Sequence, residues 1–327
     1  MVKRFTAVMQ MLVAGVLMVL TGGAAAQQDY PVKPVRIVVP YPPGGSNDFL
    51  ARLFGPKLTE IFGQQFIVDN RAGGNTIIGN DAVAKAAPDG YTMLLAGSSQ
   101  VAIPHLYRNI PYDTINDFTP VAGIARSEFI LTVHPALPVK TVRDLIELAK
   151  KRPGQLDYAS SSTGGATHLA AVMFEMLAGV KMQQVPYKGG GPAMVDLLGG
   201  HVQLAFANPA SVIPLLRTGR LRAVAVTGDK RLETLPDVPT FTESGLPGLA
   251  VRNWYAITAP AGTPKAVIEK LSNALLKITA SPDVKAAIMK QGLDGYYATP
   301  EQIDAMRRED SLIVAKLIKA AKIKIQN

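Results

Sequence analysis

Runs of β-branched residues alternate with segments whose apolar positions recur every three or four residues, over most of the chain. Such alternation predicts an α/β architecture. Residues 35–39 (VRIVV) read as the first strand, and a Pro-Gly turn leads into a helix over 47–62. Leu50, Leu53, Phe54 and Leu58 give that helix an apolar stripe. Strands are expected at 66–68 and 92–96. Between them lies a short helix over 81–87, stopped by Pro88-Asp89-Gly90. The third strand ends in Gly97-Ser98-Ser99-Gln100.

Residues 121–133 are apolar and extended, and read as a crossing into a second lobe. There Thr141 caps a helix to 148, with Asp144 in its first turn. Strands at 156–159, 182–185, 202–206 and 222–226 alternate with helices over 167–177, 192–198 and 211–216. A further strand begins at 254–258, followed by helical patterns over 264–278, 282–291 and 300–322. This closing block is expected to hold no strand of its own and to pack back on the first lobe. The expected division is 27–125 for the first lobe, 126–250 for the second, and 251–327 for the return to the first. Largely parallel sheets are expected, with a ligand cleft between the lobes at the carboxyl ends of strands.

The amino end departs from this pattern. Lys3 and Arg4 precede an apolar run over 7–20, and Ala24-Ala25-Ala26 follows. A basic start, a short apolar core and an A-x-A site make a secretory leader, with cleavage expected after Ala26 (residues 1–26 removed). The run is too short to span a bilayer, which takes about 20 apolar residues. The mature chain is therefore expected in the periplasm as a soluble protein. With no cysteine, it has no disulfide, thiol nucleophile or thiolate metal site. The formal net charge of +9 falls to +7 once Lys3 and Arg4 are removed. The charge is spread along the chain, which fits solvated helix faces and an anionic ligand. With 6% aromatic residues, base stacking has little to work with, and no nucleic-acid partner is expected.

Candidate chemistry sits in glycine- and hydroxyl-rich turns. One is Pro40-Tyr41-Pro42-Pro43-Gly44-Gly45-Ser46. The second is Ser160-Ser161-Ser162-Thr163-Gly164-Gly165-Ala166-Thr167. The third is Pro186-Tyr187-Lys188-Gly189-Gly190-Gly191. Each hands a strand to a helix start, where unpaired N–H groups carry partial positive charge. Glycine lets an anion approach that backbone closely. Asp48, in the first turn after Gly44-Gly45, complements the helix dipole. It and His168, beside the serine-rich turn, are secondary candidates for ligand contact, and Lys188 stands either against the ligand or at the rim. Neither a G-x-S-x-G elbow nor a phosphate loop is present, and the four histidines lack metal-pair spacing. No catalytic residue, metal or cofactor is expected. A periplasmic hydrolase using a serine from 160–162 is the competing reading, and a sensor feeding a membrane kinase is a third.

At these residues the chain closely resembles the Bug, or TctC-like, receptors of tripartite tricarboxylate transporters. The marks include PYPPGGSND at 40–48, VDNRAGGN at 68–75, APDGYT at 87–92, VPYKG at 185–189, LPDVPT at 235–240 and APAGTP at 259–264. The resemblance implies a two-lobed periplasmic binding protein fold, type II-like, that closes on a small organic carboxylate. It also implies two membrane transporter subunits as partners, and a monomeric receptor is expected. By position, the ligand contacts would be Tyr41, Pro42, Pro43, Gly44, Gly45 and Ser46, then Ser98, Ser99 and Gln100. In the second lobe they would be Ser162, Thr163, Gly164, Gly165 and Ala166, then Tyr187, Lys188, Gly189 and Asn208. Two departures bear on the ligand. Ala207 stands where many relatives carry an acid, which favours a dicarboxylate or aromatic acid over an amino acid, and Ser162 stands where many have glycine.

Overall fold

The computed structural model describes residues 30–320 apart from 250, together with 323 and 325. The expected leader and its cleavage site lie outside the described residues. Two sheets organise the chain. The first has the order β11-β4-β10-β3-β1-β2 and the second β7-β6-β8-β5-β9.

The first sheet begins with β1 (Val35–Val39), β2 (Phe66–Asn70) and β3 (Thr92–Gly97). β1 pairs in parallel with both β2 and β3. Helices cover both of its faces. Val35, Ile37 and Val39 meet Leu50, Phe54 and Leu58 of α1 (Ser46–Phe62) and Leu271 and Leu275 of α8 (Lys265–Ala280). On the other face Val38, Leu94 and Ala96 pack with Val83 of α2 (Ile77–Ala84) and Ile303 of α10 (Pro300–Ala320). Burial on both faces explains why β1 reads as an apolar run, interrupted only by the exposed Arg36, instead of alternating.

β4 (Phe118–Glu128) stays in the first sheet to Glu128, and β5 (Ile130–Val133) belongs to the second, so the chain changes sheet at Phe129. The second sheet adds β6 (Asp157–Ser160), β7 (Gln183–Pro186), β8 (Leu204–Ala207) and β9 (Arg222–Val226). Its helices are α4 (Val142–Lys151), α5 (Ala166–Ala178), α6 (Gly190–Leu198) and α7 (Pro209–Arg217). The capping box expected at Thr141 and Asp144 is formed. β10 (Arg252–Pro260) returns the chain to the first sheet, between β3 and β4, so the first lobe is built from two separated parts of the chain.

Three sequence expectations fail. The sheets are mixed rather than largely parallel: β10 is antiparallel to β3 and β4, and β5 to β8 and β9. Strands that cross between lobes run against those fed by helices. The closing block does contain a strand, β11 (Asp294–Ala298, DGYYA), which follows α9 (Pro282–Lys290) and pairs with the edge of β4. It is short, starts Asp-Gly and has an irregular register, so no alternation marks it. Residues 99 and 100, expected at the end of the third strand, instead open a helical turn, α3 (Ser99–Ala102).

Candidate functional site

Helices α1, α5, α6 and α7 all begin at one cavity of about 100 Å³ between the two sheets' helices. α1 brings Gly45, Ser46 and Asn47, and α5 brings Gly165, Ala166 and Thr167. Gly189, Gly190, Gly191 and Pro192 come from the start of α6, and Asn208 and Ser211 from that of α7. None of the four helices has a side-chain cap at its start. First-turn N–H groups of α1, α5 and α6 are therefore left for a ligand, fewer at α7, where Pro209 has none and Ser211 N–H donates to the Asn208 carbonyl. The aligned peptide dipoles make the cavity attractive to an anion. Glycine is required at the α6 cap: Gly189 has φ of 117°, which side-chain-bearing residues rarely adopt. The α6 start two residues ahead of the expected 192 follows from this, because three glycines conceal a helix.

Tyr41, Pro42, Pro43, Ser98, Ser99, Phe129, Ser161, Ser162, Lys188 and Asn253 complete the lining. Tyr41 Oη and Ser99 Oγ are hydrogen-bonded, and burial pushes the Tyr41 hydroxyl up to about 12, so it stays neutral. Ser98 Oγ donates to Asn253 Oδ1 at 2.6 Å, and Asn253 Nδ2 donates to Tyr255 Oη at 2.8 Å. Tyr255 Oη reaches Asn208 Oδ1 of the second lobe at 3.5 Å. Ser46 Oγ is buried beside the Tyr255 hydroxyl and makes no hydrogen bond of good geometry among the described residues. Lys188 is the one acidic or basic side chain in the lining, and it is exposed.

Several expected contacts lie elsewhere. Asp48 is 5% exposed and accepts from Gly44 N–H, Arg52 Nε and Asn70 Nδ2. Burial opposes its ionisation, but these donors outweigh it and hold the carboxyl below its usual range. Asp48 thus braces the Pro-Gly turn from behind, and Gly44 serves the turn rather than the cavity. Gln100 is buried in α3 away from the lining. Tyr187 Oη donates to Asp196 Oδ2 at 2.6 Å within the second lobe. Thr163 and Gly164 face the first lobe.

His168 is 5% exposed, and its Nδ1 accepts from Gly164 N–H at 2.7 Å. It therefore shapes the serine-rich turn and does not line the cavity. The nearby serines have other partners: Ser160 Oγ accepts from Gln184 Nε2, and Ser161 Oγ pairs with Thr167 Oγ1. No imidazole stands beside a serine hydroxyl in this turn, which removes the physical basis of the hydrolase reading.

Burial lowers the His168 pKa from 6.5 to about 4. The unfolded chain takes up this proton near pH 6.5 and the folded chain only near 4, so stability is full above 6.5 and falls between the two. The loss amounts to about 3 kcal/mol at most for a shift of this size. Thermal melts should therefore show the midpoint dropping below pH 6.5, and His168→Gln should flatten that portion of the curve. An unchanged pH profile in the variant would assign the acid sensitivity elsewhere.

Ser161, Thr167, Gly190 and Gly191 line the cavity from within the candidate turns, although they are not among the contacts the resemblance implies. Asn47, Pro192, Ser211, Phe129 and Asn253 lie outside those turns; Asn47 and Pro192 adjoin them and Ser211 is one helical turn from Asn208, so spacing could have found these three. Phe129 and Asn253 sit at the two crossings, and nothing local marks them.

A larger groove of about 570 Å³ lies along β4, β11 and the loop after β9. Some of its charges are paired, Arg126 with Asp294 at 2.7 Å, Arg252 with Glu128 and Asp229, and Arg231 with Glu243, while Lys230, Glu233 and Lys285 also line it. This groove mixes both signs of charge and gathers no helix starts, whereas four helix starts meet at the smaller cavity.

The chain is similar to known proteins over most of its length. The family model described as "TctC: Tripartite tricarboxylate transporter family receptor" matches residues 50–323. The protein BugT of Bordetella pertussis is 38% identical over 291 residues, covering 88% of this chain and 89% of its own. Among solved structures, R. palustris Rpa4515 with adipate superposes with a TM-score of 0.87 at 36% identity, over 90% of this chain and 99% of that one. MatC from Rhodopseudomonas palustris with bound malate gives 0.83 at 28% identity, over 88% and 100%.

Proposed function

The chain belongs to the tripartite tricarboxylate transporter receptor family, a family of solute-binding receptors and not enzymes, and from that premise we propose that its cavity captures a small organic carboxylate in the periplasm. The observation that carries this reading is the meeting of four uncapped helix starts at one cavity that holds no carboxylate side chain. Such a site favours a negative group and offers no counter-charge to an ammonium. A dicarboxylate or an aromatic acid suits it better than an amino acid. Ala207, 4% exposed and next to Asn208, is where an acid would have supplied that counter-charge. The adipate and malate seen in the two solved relatives support the same class.

A thermal-shift panel should test this with adipate, malate, benzoate and an amino acid such as glutamate. A ligand bound only by the folded state at 100 times its Kd adds about 2.7 kcal/mol of stability. Stabilisation by an acid lacking an amine is expected. Tight binding of an amino acid, with none of its deaminated analogue, would defeat the proposed class.

The receptor is further proposed to act as a monomer that delivers its ligand to two membrane subunits, after removal of a leader ending at Ala26. Mass spectrometry of the exported protein should then give Gln27 as the first residue. A membrane-bound species retaining Met1 would contradict a cleaved, soluble form.

A further inference from the structure

The serine-rich turn over residues 161–167 supplies Ser161, Ser162, Gly165, Ala166 and Thr167 to the cavity, yet two residues between these, Thr163 and Gly164, face the other way. Both are touched from the first lobe. Asn75 Nδ2 donates to the Thr163 carbonyl at 2.9 Å. Leu106 lies so close to Gly164 that a Cβ there would stand 1.8 Å from Leu106 Cδ1. Gly164 also has φ of 71°, so that position excludes a side chain twice over.

Each first-lobe contact is itself held in place. Asn75 and Thr76 both have positive φ, 54° and 79°. Two successive non-glycine residues in this region, the second β-branched, mark a strained segment kept by its surroundings. Leu106 belongs to an apolar cluster with Ala102, Val314 and Ile318 of the first lobe and Leu169 of α5. His105 Nε2, adjacent to Leu106, is hydrogen-bonded to Ser311 Oγ of α10 at 2.8 Å. The first lobe therefore presents a fixed polar contact and a fixed apolar contact to the back of the turn.

We propose that Asn75 and Leu106 are positioning residues, which set the conformation of the 161–167 turn from across the cleft without lining the cavity. The proposal deepens the carboxylate reading, on which its effect on affinity rests. Turn geometry and lobe contact are then one event: when the lobes part, Thr163 and Gly164 lose both supports and the helix α5 start is no longer presented as a finished anion site.

The test is amide hydrogen exchange on the protein without ligand and with saturating adipate, with titration of adipate as probe. Asn75→Asp keeps the shape and the tolerance of positive φ but cannot donate to a carbonyl. Peptides covering 161–167 are expected to exchange about tenfold faster in this variant, while β6 and β8 exchange as in wild type. Leu106→Ala should do the same, and Leu106→Met should restore protection. Adipate should bind Leu106→Ala about tenfold more weakly through a faster off-rate, and Leu106→Met as wild type. Unchanged exchange of the turn in Asn75→Asp, which is half-buried and leaves the core intact, overturns the proposal for Asn75; unchanged exchange in folded Leu106→Ala overturns it for Leu106. If the turn loosens as expected while wild type binds neither adipate nor malate, the carboxylate reading fails and the positioning role stands.

Discussion

Gly45→Val is expected to abolish carboxylate binding while the protein remains folded. Gly45 caps α1 with φ of −92° and ψ of 176°, an extended conformation in which valine is comfortable. A Cβ built there meets no atom within 4 Å, and Gly45 lines the cavity, so the added side chain enters the space reserved for ligand. It also covers the first N–H groups of α1. A loss of about a thousandfold, roughly 4 kcal/mol, is expected by calorimetry, with the melting midpoint of the free protein little changed. Lys188→Ala serves as the contrast. Lys188 is exposed at the rim, and an exposed pair contributes about 1 kcal/mol or less. Wild-type affinity should shift less than about tenfold between low and high salt, because backbone dipoles in a shielded cavity act within the screening distance. A loss in Lys188→Ala larger than that in Gly45→Val, with steep salt dependence, would instead make an ion pair the main holding contact.

The second large effect is on stability. The Arg307 side chain is fully buried in α10. Its guanidinium donates to Asp304 at 2.8 Å and to the carbonyls of Thr114, Ile115 and Phe118 at 3.4, 3.5 and 3.3 Å. Burial works against the charge and lowers its pKa from the ordinary guanidinium value, with Asp304 as the main opposing influence. Arg307→Ala removes the donor and leaves a carboxylate and buried carbonyls without it. A cost on the order of 3–5 kcal/mol is expected, read as a lower urea midpoint. A change below about 1 kcal/mol would mean that water replaces the guanidinium without penalty.

Much of this arrangement is legible in the sequence, for identifiable reasons. The strands β1 and β3 at the centre of the first sheet are buried on both faces and so are mostly apolar, Arg36 and Thr92 excepted, which makes them easy to read. The glycine turns announce helix starts because only glycine tolerates conformations such as that of Gly189. What stays hidden depends on distant partners. Asp48 in a first turn looks the same whether it faces a ligand or accepts from Arg52 and Asn70, and only the fold brings Asn70 to it. His168 likewise sits beside the motif turn in sequence, yet its ring nitrogen is taken by Gly164. Asn253 reaches the cavity because β10 inserts beside β3, a pairing across some 155 positions that no local pattern encodes. β11 escaped notice because an edge strand of Asp-Gly-Tyr-Tyr-Ala needs neither alternation nor a buried apolar run.

The position of β10 in the first sheet also bears on the order in which the protein can be completed. β3 and β4 do not pair with each other; β10 lies between them and is made after every strand of the second sheet. A chain that emerges amino end first thus holds β3 and β4 with open edges, groups that can template pairing with another chain, until residues 252–260 arrive. The second sheet has no such wait, because everything from β5 to β9 lies in one continuous stretch.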